Sequence, residues 1–254
     1  MKIKAAPFAV MCLLVLPLAA QDASVITMDQ EPHHHLVLHN DYVKVFNVEV
    51  SPGDSIVLHR HDQDTIAIAI GDQLVTVGIP GKPDVHQKNA DAQVRLQHSG
   101  YMHSTRVDGD KPYHTVAVEL MHPQTNFHNL CTEILPGQPL NCEDSPLWRV
   151  EPHGVVYFSK PELESDQTRV RLVTAGPRNS INIADYPYMR KVARLIVALD
   201  SAVVTSGSPK RLEETLGPGE FKWFSPGQDP VAEVRSVGDK DARLIDIIFP
   251  AEPK

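Results

Sequence analysis

The sequence predicts an all-β protein that contains two copies of one antiparallel β module. Its 21 prolines and 14 glycines in 254 residues disfavour a helix bundle and favour short strands joined by turns. Apolar residues alternate in short runs, and no amphipathic helix of about 12 residues or more is apparent. With 42 % hydrophobic and 22 % charged residues, disorder, collagen and coiled coil are excluded as overall descriptions.

An internal repeat supports the two-module organisation. Three pairs of segments match. Ser51–His61 and Gly176–Tyr186 share a turn followed by alternating apolar positions, Ile66–Gly78 matches Leu195–Gly207, and Ser104–Leu120 matches Glu233–Phe249. Turn dipeptides such as Pro52-Gly53 and Asp108-Gly109 separate the predicted strands. Strands of about five to eight residues between such turns are typical of a sandwich or barrel.

The first twenty residues have the pattern of a secretory signal peptide. Lys2 and Lys4 precede an apolar run from Ala5 to Leu18, and the small residues Ala19 and Ala20 follow it. The run is shorter than the roughly 20 apolar residues of a membrane span, although an uncleaved anchor stays an alternative. We therefore expect an exported protein, periplasmic or secreted, with no membrane span after cleavage.

The predicted domain organisation follows from the leader and the repeat. It consists of a signal peptide at 1–20, an N-terminal module at 21–121, a connector at 122–167 and a C-terminal module at 168–254. In an oxidising compartment Cys131 and Cys142, both in the connector, are expected to form a local disulfide. Two reduced thiols are the alternative, and neither gives the pair a catalytic role.

Charge and motifs limit the classes of function. A net charge of −8 lacks the basic surface of a nucleic-acid-binding protein, so we expect a small-molecule ligand or substrate as partner. The sequence leaves the oligomeric state open, with a homodimer as one option. It contains no G-x-S-x-G elbow, no phosphate-binding loop, no dinucleotide fingerprint and no H-E-x-x-H motif.

The histidines point to a metal site in the first module. All 13 lie between His33 and His153. His59 and His61 are two residues apart, so on a β-strand both imidazoles project from the same face and can bind one metal ion with His103 from another predicted strand. His114 is expected near the pocket as a supporting or proton-accepting side chain, or as an ordinary hydrogen-bonded strand histidine. The tract His33–His35 is interpreted as an exposed arm.

These residues resemble the motifs of the cupin superfamily. Gly53, five residues, then His59 and His61 match the first motif of that family, and Gly100, two residues, then His103 match the second. The resemblance covers both copies and implies two tandem jelly-roll barrels. It also implies that His59, His61 and His103 hold one divalent transition metal, which the residues leave open among Fe, Mn, Zn, Cu and Ni.

The sequence departs from the family pattern at several positions. Thr65 stands where the first motif has a glutamate, which implies either a three-histidine site or a weak or absent metal. Thr65 and Tyr101 are expected to line the pocket, whereas Asp62 and Asp64 have outward parity. In the second copy the corresponding ligand positions hold Ala184, Tyr186 and Ala232, so no metal is expected there.

Two functions from different classes follow from this resemblance. The first is a metal-dependent dioxygenase of a small aromatic or diketone-like substrate, because three-histidine centres resemble those of some cupin dioxygenases. The second is a non-enzymatic module that binds a metal or small ligand without turnover. A fold supports many chemistries, so the site must decide between them.

Overall fold

The computed structural model describes residues 25–142, 147–151, 154–183, 192–207, 211–227 and 233–249. The predicted signal peptide at 1–20 lies outside these ranges. Strands dominate the described residues, which contain no α-helix and one 3-10 turn at Met28–Gln30. No helix in the described part of the chain has the length and apolar character needed to cross a membrane.

Ten strands form the first module, in two five-stranded sheets. They are β1 (Ile26–Thr27), β2 (His34–His39), β3 (Val43–Val50), β4 (Ser55–Arg60), β5 (Thr65–Ala69), β6 (Gln73–Gly78), β7 (Val85–Asn89), β8 (Val94–Gln97), β9 (Met102–Val107) and β10 (Tyr113–Leu120). One sheet has the order β1-β4-β9-β6-β7 and the other β2-β3-β10-β5-β8. All neighbours are antiparallel except β1 and β4, which are parallel.

The second module and the chain leading into it contain the remaining strands. They are β11 (His128–Asn129), β12 (Leu147–Glu151), β13 (Gly154–Glu164), β14 (Arg169–Ala175), β15 (Ser180–Asn182), β16 (Ala193–Ala198), β17 (Ala202–Ser206), β18 (Leu212–Leu216), β19 (Phe221–Phe224), β20 (Glu233–Ser236) and β21 (Ala242–Phe249). The larger sheet has the order β11-β13-β14-β21-β16-β19, with β12 paired to β13, and the smaller has the order β15-β20-β17-β18.

The two modules have equivalent topology. The order β2-β3-β10-β5-β8 of the first corresponds to β13-β14-β21-β16-β19 of the second, and β4-β9-β6-β7 corresponds to β15-β20-β17-β18. The register is also conserved between them, since Ser55 pairs with Arg106 and the aligned Ser180 pairs with Arg235. The predicted all-β fold and the internal repeat are therefore confirmed.

Apolar side chains form three clusters. One lies inside the first barrel and includes Phe46 and Ile56, and a second lies inside the second barrel and includes Ile196 and Leu244. The third is formed by both modules: the outer faces of the two larger sheets pack against each other. The strands of these sheets are consequently buried on both faces, as the uninterrupted burial of β5 and β16 shows.

The predicted connector contains three of the strands. Of these, β13 forms seven residue pairs with β14 and extends the sheet of the second module. Cys131 and Cys142 form a disulfide with a Cα–Cα distance of 4.7 Å. The boundaries at residues 121 and 167 stay predictions.

Candidate metal centre

The sheet that contains β4 and β9 brings three histidines together inside the first barrel. His59 on β4 and His103 on β9 are direct cross-strand partners. His61 follows β4, and its backbone N–H donates to the carbonyl of Tyr101, which continues the pairing. The exposed fractions of His59, His61 and His103 are 0 %, 2 % and 7 %, so the cluster is enclosed by protein.

A β-bulge in β4 directs His59 inward. The register with β9 shifts between Ile56 and His59, and the side chains of Val57 and Leu58 are 50 % and 39 % exposed. In a regular strand Ile56 and His59 would point to opposite faces of the sheet. Because the bulge adds one residue, both are buried on the inner face.

The three imidazoles present their ring nitrogens to one point. One potential ligand atom from each of His59, His61 and His103 lies within 4.8 Å of the other two. The Nε2 atoms of His61 and His103 are 3.0 Å apart. Nε2 of His59 is buried and has no hydrogen-bond partner. A buried polar nitrogen without a partner is unfavourable, and a bound metal ion would satisfy it.

Hydrogen bonds at the opposite ring nitrogens fix two of the tautomers. Nδ1 of His59 lies 2.9 Å from the carbonyl oxygen of Val57, which can only accept, so this nitrogen carries the proton. The Thr65 hydroxyl donates to the carbonyl of Gln63 and therefore accepts from Nδ1 of His61 at 3.1 Å. Both histidines are left with an Nε2 lone pair, the form that binds a metal.

Burial keeps these imidazoles neutral. It lowers the pKa of His59 to about 4, that of His61 to about 3 and that of His103 to about 2. For His59 the hydrogen bond to Val57 opposes part of the effect of burial on its pKa. Near neutral pH neither His59 nor His61 therefore carries a proton on Nε2, and protons do not compete for these two lone pairs. In donor type, protonation and convergence, the cluster fits a transition-metal ion.

Comparisons with solved structures agree with this architecture. A putative glyoxylate-induced protein from Pseudomonas aeruginosa matches with a TM-score of 0.58 at 12 % identity, over 86 % of this chain and 78 % of that chain. AerE from Microcystis aeruginosa matches with a TM-score of 0.54 at 11 % identity, over 86 % and 98 %. A vicilin from Capsicum annuum matches with a TM-score of 0.54 at 10 % identity, over 84 % and 77 %.

These neighbours are cupin-type proteins. The chain has a two-domain cupin fold. No protein-family model and no curated protein matches the sequence, so the likeness lies in the fold and not in a close sequence relationship. Within this fold, the enclosed cluster of His59, His61 and His103 supports metal binding.

Two further expected pocket residues lie beside the histidine cluster. Thr65 is fully buried and accepts the hydrogen bond from His61 described above. The Tyr101 ring stacks on His103 with a centroid distance of 4.9 Å. Burial raises the pKa of Tyr101, so its hydroxyl keeps its proton. The position of the family glutamate is thus occupied by a neutral side chain that is hydrogen-bonded to His61.

The sequence predicts His114 either near the pocket or as an ordinary hydrogen-bonded strand histidine, and it predicts that Asp62 and Asp64 point outward; all three lie away from the cluster. His114 lies on the outer face of β10, where its Nε2 is 2.9 Å from Oδ1 of Asn47 and its ring packs against Gly219 of the second module. Asp62 pairs with Arg60 at 2.8 Å, and Asp64 accepts from the backbone of Ser99. None of these three side chains belongs to the histidine cluster.

Sequence reasoning missed two residues next to His59. The interpretation of His33 to His35 as an exposed arm is wrong for His34, which begins β2 and whose side chain is 5 % exposed. Its ring centroid lies 4.7 Å from that of His59. Glu31 accepts a hydrogen bond from Nδ1 of His34 at 2.8 Å. The apolar run Leu36 to Leu38 directly after the histidines was the available signal for a strand.

Sequence reasoning also missed Glu119, on the inner face of the opposite sheet. It is the cross-strand neighbour of Thr65 and is 3 % exposed. Burial raises its pKa to about 7, although Lys44, whose Nζ is 4.0 Å away, lowers it. This carboxyl group can both hold and release a proton near neutral pH.

In the second barrel the positions that correspond to the ligands, Ala184, Tyr186 and Ala232, lie outside the described residues. Within the described ranges, the only group of three or more metal-ligating side chains is His59, His61 and His103. Trp223, an aromatic of the second module, packs against Tyr42 of the first at 5.6 Å between ring centroids. It is therefore part of the contact between the modules.

Proposed function

We propose that this two-domain cupin binds one divalent transition-metal ion through Nε2 of His59, His61 and His103 and oxidises a small aromatic or diketone-like substrate as a dioxygenase. The observation that carries the proposal is the buried, unpartnered Nε2 of His59 beside two further converging imidazoles. The metal is one of Fe, Mn, Zn, Cu and Ni, all of which accept imidazole ligands. For oxygenation, a redox-active member of this set is required.

A bound metal would supply Lewis acidity and redox chemistry at this site. The chain's own contribution is to hold three neutral donors in place through Val57, Thr65 and Thr105. Neutral donors leave the ion more electron-poor than a carboxylate ligand would. Three protein ligands also leave coordination positions for a substrate oxygen.

The inner face opposite the histidines supports binding of a small substrate. Ala67, Ala69 and Ala117 are small, buried side chains on the inward positions of β5 and β10. Glu119 lies on the same face, and we infer that its carboxyl group exchanges a proton with the bound substrate.

Export is part of the proposal. The sequence pattern at 1–20 supports a cleaved leader, and the disulfide between Cys131 and Cys142 is compatible with an oxidising compartment. Mass measurement of the protein from its native compartment should give a chain that begins after Ala20. A full-length cytoplasmic chain with reduced thiols would refute export.

Metal analysis tests the site directly. Protein purified without a tag from its native compartment is expected to carry one metal ion per chain, and the metal-free form to gain thermal stability on adding that ion. A ligand that binds only the folded state at 100 times its Kd adds about 2.7 kcal/mol of stability. His59→Ala should abolish the gain, whereas His86→Ala, which removes an imidazole 80 % exposed on the same barrel, should not.

Oxygen uptake then distinguishes the two functions. With metal bound, the wild-type protein should consume O2 with a member of a panel of aromatic and diketone substrates, and His59→Ala should not. Stoichiometric metal without turnover across the panel would favour the non-enzymatic binding module, which the burial of all three ligands also favours. A protein that holds no metal and is not stabilised by any of the five ions would refute the site.

A further inference from the structure

Glu31 is a buried carboxylate close to the histidine cluster. It follows the 3-10 turn and precedes β2, and its side chain is 0 % exposed. Its two oxygens accept four N–H groups: the backbone of His33 at 2.8 Å, Nδ1 of His33 at 3.2 Å, Nδ1 of His34 at 2.8 Å and the backbone of Val57 at 3.3 Å. No lysine or arginine among the described residues forms an ion pair with it.

Two short paths connect this carboxylate to His59. The first runs through one residue of the bulge: Glu31 accepts the N–H of Val57, and the carbonyl of Val57 accepts Nδ1–H of His59 at 2.9 Å. The second runs through the imidazole of His34, which Glu31 holds and which packs on His59 at 4.7 Å between ring centroids. Glu31 thus reaches the His59 imidazole through the backbone of Val57 and through the ring of His34.

A divalent ion at this site would need a negative charge nearby, and the three neutral imidazoles do not provide one. A divalent ion bound by neutral imidazoles keeps its full charge, and a buried charge is unfavourable unless an opposite charge lies near it. In this chain the family's glutamate position is Thr65, which is neutral. Glu31 is the buried carboxylate in hydrogen-bonded connection with a ligand of this site.

We propose that Glu31 is a positioning residue that also balances the charge of the metal site, from outside the coordination sphere and in place of a carboxylate at Thr65. This inference rests on the proposed metal binding. Hydrogen bonds keep Glu31 ionised: burial raises its pKa, but the bonds from His34 and His33 outweigh burial and lower the pKa to about 2. A carboxylate that stays ionised in a buried position stabilises a positive charge close to it.

Glu31 could instead only anchor the segment before β2 to β4. Two variants separate the roles. Glu31→Gln keeps the size of the side chain and removes its charge, whereas Glu31→Asp keeps the charge and shortens the side chain. If Glu31 balances the charge of the metal, Glu31→Gln should lose more metal affinity than Glu31→Asp. A purely anchoring role predicts similar metal affinities once folding is accounted for.

The experiment measures Zn²⁺ binding to the metal-free protein by calorimetry and unfolding of the metal-free protein by urea. Glu31→Gln should raise the Kd for Zn²⁺ by about 10- to 100-fold, the range observed for residues that support metal ligands, and Glu31→Asp by less. The matched control is Glu49→Gln, which removes a carboxylate 59 % exposed on the same barrel, and it should leave the Kd unchanged.

Equal Kd values for wild type and Glu31→Gln would overturn this inference while leaving the metal site intact. If Glu31→Gln and Glu31→Asp lose the same affinity for Zn²⁺, and each loss matches the fall in the free energy of unfolding of that variant, Glu31 has the anchoring role alone. No Zn²⁺ binding by the wild type would overturn both proposals. Should Glu31→Gln not fold, His34→Gln replaces it: a raised Kd is expected, and an unchanged Kd refutes the connection through His34.

Discussion

At the scale of single residues, the candidate ligands were predictable and their support was not. The spacing of His59 and His61 and the match of His103 to a family motif identify all three from the sequence alone. Each Nδ1 is held by a residue close in sequence, such as Val57 for His59. Glu31 and His34, in contrast, approach His59 only where the start of β2 meets β4 of the other sheet, so no local spacing in the sequence indicates the contact.

Glu119 gives a prediction for the pH dependence of stability. Its pKa is raised to about 7 by burial, opposed by Lys44 and supported by Asp29 and Asp62. Between its unfolded pKa of about 4.3 and pH 7 the folded state binds more protons than the unfolded state, so the free energy of unfolding falls as the pH rises through this window. Glu119→Gln, which stays neutral, should remove this loss.

The measurement is urea unfolding of both proteins without metal at pH 5 and pH 8. At pH 5 the two proteins should have similar free energies of unfolding. Between pH 5 and pH 8 the free energy of unfolding of Glu119→Gln should rise relative to that of the wild type by up to about 3 kcal/mol. A stability difference independent of pH would show that Glu119 does not titrate in this window.

At the scale of elements, the strands were predictable and the face that each presents was not. The alternation of Ile66 and Ile68, and of Val116 and Val118, correctly indicates strands β5 and β10. These side chains face the second module and not the barrel interior. Apolar residues at every second position identify one buried face of a strand. In a strand that is buried on both faces, this pattern does not show whether that face meets the barrel interior or the other module.

The same limit applies to the bulge in β4. Regular alternation from Ile56 would place Leu58 inside and His59 outside, the reverse of what is observed. The correct inward position of His59 followed from its chemistry and its motif, not from strand parity. Bulges are set by tertiary pairing, here with β9 and Glu31.

The disulfide gives a prediction for the chain between the modules. Cys131→Ser with Cys142→Ser should lower the free energy of unfolding by about 3 kcal/mol, because the unfolded chain regains the freedom of a loop of about 12 residues. Urea unfolding with and without reductant measures it. Reductant should destabilise the wild type and leave the double variant unchanged; equal responses would show that the bond does not form in solution.

At the scale of the whole molecule, the two modules form one structure through the cluster between their larger sheets. A polar contact supports this interface: Arg243 of the second module bonds Asp91 of the first at 2.8 Å, and Asp200 of its own module holds the same guanidinium at 2.7 Å. The repeat predicted two similar barrels. It did not predict how they pack, because that depends on which sheet of each barrel has an apolar outer face.

Gly219 tests the packing between modules. Its φ is +84°, and a Cβ there would lie 2.3 Å from Cε1 of His114, so Gly219→Ala should destabilise the protein by about 2–4 kcal/mol through backbone strain and overpacking. The control is Gly227→Ala, at φ +74° with open space around the Cβ, which should cost about 1–2 kcal/mol.

A double variant completes this test by denaturant unfolding. His114→Ala combined with Gly219→Ala should cost less than the sum of the two single changes, because the collision is removed and only the backbone strain is left. Additive effects of the two substitutions would show that the modules do not meet at this point in solution.

The packing of the larger sheets has a consequence for how such a chain could arise and persist. The contacts are made by equivalent positions of the two copies: Ile66 and Leu195, Ile68 and Val197, Val116 and Ile245. This is the isologous contact that a symmetric dimer of single barrels would make, here closed within one polypeptide. A second barrel without a metal site would still be needed by the first, because it covers the apolar outer face of that barrel.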